Sequence, residues 1–222
     1  RDQSSVSRLI LTGSGGPFLN RDIKDFHNIT PAEAIAHPIW NMGNKISVDS
    51  STMMNKCLEI IEARWLFNNE NIDVLVHPEG IVHSLVEFMD KSIIAQLSVP
   101  DMKVPIAYGL GFPEKISSGS SSIDFDEISN LSFRKPDLKK FPSIGLAKDC
   151  ISLGGSSFSI LNAANQECVA AFLEGKIAYL DIFKIISKVL DKSDICAVKT
   201  LEDIFEADIQ SREKTLNLIK TN

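Results

Sequence analysis

Four polar residues whose types and spacing could support chemistry lie on one predicted helix or at its start: Ser50, Asn55, Lys56 and Glu59. Glu59 follows Asn55 by four residues and Lys56 by three, so a helix brings these side chains to one face. Asp49 or Ser50 is expected to cap the helix N-terminus, where free N–H groups and the helix dipole favour an anion. Ser50, Asn55 and Lys56 could therefore hold a phosphate, and the Glu59 carboxylate is a suitable ligand for a hard divalent cation.

The same pattern has a purely structural interpretation, and both stay open at this point. In that interpretation the helix is amphipathic, its polar face is solvated and Ser50 is only a cap. Two loops carry similar alternatives. The glycine-rich turn Gly13–Phe18 (GSGGPF) either lets the backbone approach a phosphate or is an ordinary turn. In the loop His37–Gly43 (HPIWNMG), Trp40 either closes over a ligand or packs in the core.

Composition excludes several classes of protein. The chain has 222 residues, of which 44% are apolar and 23% charged, which is typical of a folded globular protein. Its net charge of −6 and its lack of a dense basic cluster argue against nucleic-acid binding. It has no apolar run of membrane-spanning length, and its four cysteines lack metal-ligand spacing. The first residues do not resemble a signal peptide, and the chain begins as though cut from a longer protein.

Hydrophobic periodicity predicts the elements that position these residues. The predicted strands cover 8–12, 45–49 and 73–77, and the turn Met89–Lys91 joins the two strands of a hairpin. Predicted helices cover parts of 20–36, then 51–67, 101–111, 143–153, 156–174, 180–191 and 201–220. The pattern indicates an α+β fold, in which a first domain (1–112) with a small mixed sheet and flanking helices carries the candidate phosphate and metal ligands and is followed by a connecting segment (113–140) and a C-terminal helical bundle (141–222).

Longer segments add a more specific signal. They are LTGSGGPF (11–18), HPIWNMGNKISVDSSTMMNK (37–56), LEIIEARWLF (58–67), VLVHPEGIVHSLVEF (74–88), QLSVPDMKVPIAYGLGFP (96–113) and LNAANQECVAAFL (161–173). Taken in this order, they resemble the 1-deoxy-D-xylulose 5-phosphate reductoisomerase family of the non-mevalonate isoprenoid pathway. The resemblance covers nearly the whole chain. Local departures from the family pattern occur at Ile39, Glu79-Gly80 and Gln166, outside the residues to which roles are assigned.

The resemblance implies a role for each candidate residue. It implies a substrate-binding set of Ser14, His37, Trp40, Ser50, Asn55 and Lys56. His37, Lys56 and Glu59 would be catalytic, and Glu59 would also be a carboxylate ligand of Mg²⁺ or Mn²⁺. Trp40 would cover the substrate as part of a lid, and Met102 would border the nicotinamide of NADPH.

The implied reaction is a metal-dependent rearrangement of a phosphosugar to an aldehyde, which NADPH then reduces. The implied protein is a homodimer through the hairpin sheet, without nucleic-acid or membrane partners, in the bacterial cytoplasm or alternatively in a plastid. In this family the NADPH-binding domain and an Asp-Ser-Glu metal-binding segment precede the region present here, so this chain alone is predicted to be inactive. The alternative is a non-catalytic module that binds a phosphosugar or mediates dimerisation.

Overall fold

The structure, a computed structural model, describes residues 5–40 and 42–221. Asn41 of the predicted lid and the first four residues of the segment compared with a signal peptide lie outside the described residues. The strands are β1 (Val6–Gly13), β2 (Ile72–Val76), β3 (Val82–Phe88) and β4 (Ile93–Leu97). A short 3₁₀ helix covers Ile23–Asn28, and the α-helices are α1 (Pro31–Ile35), α2 (Asn44–Ser51), α3 (Met54–Phe67), α4 (Lys103–Gly111), α5 (Ser143–Leu153), α6 (Ser157–Leu173), α7 (Tyr179–Asp191) and α8 (Leu201–Lys220).

These residues separate into two compact units. The first unit contains the residues up to Gly15 together with Ala63–Pro136, and the second contains Gly16–Glu62 together with the residues from Asp137 onward. Each unit is therefore built from two stretches of sequence, and the division falls within α3. The domains predicted from the sequence (1–112, 113–140 and 141–222) are continuous stretches of chain, and their boundaries stay a prediction.

The first unit contains a four-stranded mixed sheet in the order β2-β1-β3-β4. β1 pairs with β2 in parallel and with β3 antiparallel, and the predicted hairpin is formed by β3 and β4. Arg8 on β1 links its neighbours by ion pairs to Asp73 on β2 and Glu87 on β3. The outer strand β4 exposes Ile93 and Ile94. The small mixed sheet and the many helices confirm the α+β prediction.

The second unit is helical and has an aromatic core. Tyr179 lies at its centre, with ring-centroid distances of 5.4 Å to Phe18, 5.9 Å to Phe26 and 5.7 Å to Phe172. Edge-to-face packing of this kind adds to the apolar area that the rings bury. Helices α5, α7 and α8 all pack against α6, so the predicted C-terminal helices form one bundle. Arg212 on α8 connects to α6 through an ion pair of 2.7 Å with Glu167.

One predicted strand is wrong. Residues 45–49 (KISVD) alternate polar and apolar residues, but they belong to the helix α2. The burial does not follow the alternation, because Ile46 is exposed whereas Ser47, Val48 and Asp49 are all buried. Two of the local contacts of these buried polar groups are helical, since the Ser47 hydroxyl donates to the Gly43 carbonyl and Lys45 pairs with Asp49 four residues later.

Candidate active site

The candidate site is built around the junction of two helices in the second unit. α2 ends at Ser51, Met53 adopts a left-handed backbone with φ of 56°, and α3 begins at Met54. The Thr52 hydroxyl accepts a hydrogen bond from the Met54 N–H, as an N-terminal cap would. The expectation that Asp49 or Ser50 caps this helix is therefore wrong, because both lie inside α2. The break places Ser50 near the end of one helix and Lys56 in the first turn of the next.

Lys56 and Glu59 form an ion pair on α3. The Lys56 Nζ lies 2.6 Å from Glu59 Oε2, and the side chains are 9% and 39% exposed. The neighbouring Asn55 side-chain oxygen accepts the Lys56 N–H at 2.8 Å. An ammonium group this deeply buried needs a negative partner, which Glu59 provides. Lys56 and Glu59 thus lie on one face of α3, as predicted, and their side chains contact each other directly.

Ser50 is buried but keeps a hydroxyl that is available for a ligand. The residue is 6% exposed, and its hydroxyl has no hydrogen-bond partner within residues 5–40 and 42–221. Its carbonyl lies close to the glycine-rich turn, where a Cβ added to Gly16 would lie 2.7 Å from the Ser50 oxygen. Gly16 has φ of +65°, so glycine is required there both by the backbone conformation and by the close approach.

His37 organises the start of the predicted lid loop. Its Nδ1 accepts hydrogen bonds from the backbone N–H groups of Ile39 at 3.1 Å and Trp40 at 2.9 Å. The neutral ring then carries its proton on Nε2. Burial lowers the pKa of His37, which also favours the neutral form. Trp40 is half-buried, so it is neither fully in the core nor fully exposed.

The two remaining predicted residues belong to the first unit. Ser14 follows β1 directly and is half-buried. Met102 precedes α4 and is 57% exposed. The second unit contains the other six predicted residues, which are His37, Trp40, Ser50, Asn55, Lys56 and Glu59.

Sequence reasoning missed the polar side chains of the bundle that bond to the α2–α3 junction. Tyr179, Asn165 and Ser143 all do so, and all three are buried. The sequence signal for Asn165 was its place in the apolar run LNAANQECVAA, since a buried amide in a helix needs a hydrogen-bond partner.

Two further features are absent from the described residues. No group of three or more His, Cys, Asp or Glu side chains in 5–40 and 42–221 could hold a metal ion. In the same residues, no helix is both long enough and apolar enough to cross a membrane.

Comparison with known proteins now identifies the family. Residues 1–67 match the profile of the 1-deoxy-D-xylulose 5-phosphate reductoisomerase C-terminal domain, and residues 97–214 match that of the DXP reductoisomerase C-terminal domain. The chain belongs to the 1-deoxy-D-xylulose 5-phosphate reductoisomerase family. The reductoisomerase of Cupriavidus pinatubonensis is 51% identical over 96% of this chain and 54% of its own length. That of Pseudomonas syringae pv. syringae is 49% identical over 93% and 53%.

Solved reductoisomerases share the fold. The enzyme from Zymomonas mobilis in complex with NADPH gives a TM-score of 0.93 at 41% identity, covering 99% of this chain and 57% of that one. A reductoisomerase in complex with NADPH, fosmidomycin and magnesium gives 0.89 at 43% identity, covering 97% and 56%. The chain thus spans about half the length of the reductoisomerases that it matches.

Proposed function

We propose that this chain supplies the substrate- and metal-binding part of a 1-deoxy-D-xylulose 5-phosphate reductoisomerase. The whole enzyme would rearrange a phosphosugar to an aldehyde and reduce it with NADPH to 2-C-methyl-D-erythritol 4-phosphate. The observation that carries the proposal is the Lys56–Glu59 ion pair on α3, together with a Ser50 hydroxyl that has no partner in the described part of the chain. Family membership supports the reaction, and a relative bound to NADPH, fosmidomycin and magnesium supports the ligand classes.

The ion pair is suited to exchange for two ligands of opposite charge. A phosphate group bound at Lys56 would neutralise the ammonium group in place of Glu59. The Glu59 carboxylate would then be free to coordinate a divalent cation. Each ligand removes the cost of binding the other, so we expect the anion and the cation to bind with positive coupling.

We assign the other predicted residues the roles that family membership implies. We propose that Ser50 and Asn55 donate to phosphate oxygens and that Ser14 does the same. His37, at the start of the predicted lid loop, would contact the bound substrate. Trp40 would cover the bound substrate, and Met102 would border the nicotinamide.

The described residues do not form a metal centre by themselves. Glu59 offers one carboxylate, and Mg²⁺ usually requires several oxygen ligands in an octahedral arrangement. We therefore propose that Glu59 supplies one ligand to Mg²⁺ or Mn²⁺ and that the ion polarises a substrate carbonyl when bound. The sequence also lacks the GxGxxG fingerprint of a dinucleotide-binding domain. We expect the 222-residue polypeptide to bind a phosphosugar without oxidising NADPH.

We also propose a homodimer formed through the hairpin sheet, and the edge strand β4 supports this. Ile93 and Ile94 are exposed on this strand, and an exposed apolar edge is a template for pairing with another chain. Sedimentation is expected to give twice the chain mass of 24.5 kDa. The variant Ile94→Lys is expected to sediment as a monomer, and an unchanged dimer would exclude β4 as the interface.

Thermal unfolding with fosmidomycin tests the proposed ligand site. Fosmidomycin at 100 times its Kd is expected to stabilise the chain by about 2.7 kcal/mol, and Mg²⁺ should increase the effect. Lys56→Ala should abolish this stabilisation. Lys148→Ala, which removes an exposed lysine of the same unit, should leave it intact. Equal stabilisation of both variants would contradict the assignment of Lys56.

A further inference from the structure

The C-terminal bundle contacts the end of α2 through two hydroxyl groups. The Tyr179 hydroxyl donates to the Ser51 carbonyl at 2.7 Å, and the Ser143 hydroxyl donates to the Thr52 carbonyl at 2.7 Å. The last carbonyl groups of a helix have no partner within it and must be satisfied from outside. Side chains from α5 and α7 therefore complete the helix that carries Ser50.

A third bundle side chain reaches the residue immediately before Ser50. Asn165 on α6 donates from Nδ2 to Asp49 Oδ1 at 2.9 Å, and Lys45 Nζ pairs with Asp49 Oδ2 at 2.6 Å. The Asp49 side chain is only 3% exposed, whereas that of Lys45 is 44% exposed. The carboxylate is thus held from the interior by Asn165 and from the surface by Lys45.

The amide of Asn165 is an unfavourable choice for stability alone. The residue is completely buried, and among the described residues its Oδ1 has no hydrogen-bond partner. A buried polar atom without a partner destabilises the fold, so packing does not explain an asparagine at this position. The contact with Asp49 does explain it, because a buried carboxylate without a donor would be more costly still.

We propose that Asn165 and Tyr179 are positioning residues for the phosphate site. They fix the backbone on either side of Ser50, Asn165 through the Asp49 carboxylate and Tyr179 through the Ser51 carbonyl. Neither residue touches the ligand in this assignment. The inference rests on the proposed function, because it takes Ser50 as a phosphate ligand, and it extends the site to the C-terminal bundle.

Fosmidomycin binding at matched stability tests this inference. Tyr179→Phe removes one hydroxyl and keeps the ring, while Asn165→Leu removes the donor to Asp49. Both variants are expected to bind fosmidomycin about ten- to a hundredfold more weakly, since small displacements of a binding group have effects of this size. Hydrogen exchange should also become faster at the Ser51 and Thr52 amides.

Two control variants separate positioning from general loss of stability. Asn162→Leu makes the same substitution one turn earlier on α6, at a half-buried position, and Val189→Ala destabilises the core of α7. Both are expected to keep wild-type affinity at a temperature where every variant is folded. If Tyr179→Phe and Asn165→Leu also keep it, the inference is wrong and the proposed function stands. If the wild-type chain does not bind fosmidomycin, both are wrong.

Discussion

The close approach of Gly16 to the Ser50 carbonyl predicts that Gly16→Ala destabilises the chain in two separable ways. First, Gly16 has φ of +65°, and an alanine in this left-handed region costs about 1–2 kcal/mol. Second, the new Cβ would lie 2.7 Å from the Ser50 oxygen and 3.0 Å from the Ser51 Cα. These are backbone atoms at the buried C-terminal end of α2, so they cannot rotate away as a flexible side chain would.

The chain contains a control that isolates the second effect. Gly175 has φ of +72°, and a Cβ added there meets no atom within 4 Å. The N–H groups of Gly175 and Lys176 donate back to Phe172 and Ala171, the pattern of a left-handed glycine that ends a helix. Gly175→Ala therefore carries a left-handed backbone cost without the steric one. Forcing an extra carbon into a packed site typically costs 1–3 kcal/mol, so we expect Gly16→Ala to be about 2 kcal/mol less stable than Gly175→Ala.

Thermal unfolding followed by circular dichroism measures the difference. One kcal/mol corresponds to about 2–4 °C in a chain of this size, so the Tm of Gly16→Ala should lie roughly 4–8 °C below that of Gly175→Ala. Gly16→Ala should also weaken fosmidomycin binding, because the clash can be relieved only by moving the backbone at Ser50. Equal Tm values for the two variants would refute the argument from close approach.

Two further predictions concern titratable groups. The pKa of His37 is lowered by burial, so its NMR titration in the native chain should have a midpoint below the ordinary value of 6.5 and below that of the same residue in urea. As the pH falls, the unfolded chain then takes up a proton at His37 before the native chain does. The contribution of His37 to stability should therefore be complete above pH 6.5 and decrease as the pH falls. A native midpoint at or above 6.5 would contradict this. Burial raises the pKa of Cys150 to about 11 and that of Cys168 to about 12, and Cys57 is shifted in the same direction. One of the four thiols, the exposed Cys196, should therefore react with iodoacetamide under native conditions, whereas all four should react in denaturant. Mass spectrometry counts the additions, and two or more rapid additions to the native chain would argue against the burial of the other three thiols.

The sequence predicted the elements that have a strong local signal. Gly154 and Gly175 follow the ends of two helices in the tail, and four predicted tail helices match α5 to α8 closely. The hairpin was equally clear, because two apolar runs flank the short turn Met89–Lys91.

The predictions that were wrong concern residues whose environment is set by distant parts of the chain. Residues 45–49 have a strand-like pattern, but the Asp49 carboxylate is buried against Asn165, which lies 116 residues away. The start of α3 at Met54 depends on the left-handed backbone of Met53, a conformation that a methionine rarely adopts.

The candidate site was predictable where it depends on helical spacing, as in the Lys56–Glu59 contact. The role of each residue toward a ligand came from the resemblance, and it stays a prediction. The positioning residues could not be found from spacing, since no local pattern joins α2 to α6 or α7.

The separation of Asp49 from Asn165 has a consequence for synthesis on the ribosome. At about 5–20 residues per second, the 116 residues between them take roughly 6–23 s to translate. During that interval α2 exists without the amide that its buried carboxylate requires, and without the aromatic core around Tyr179. The whole of the first unit, by contrast, has been translated by Pro136, before either partner exists. The sheet can therefore fold early, while the helix carrying Ser50 must wait for Asn165 and Tyr179 and is exposed to proteases and chaperones until then.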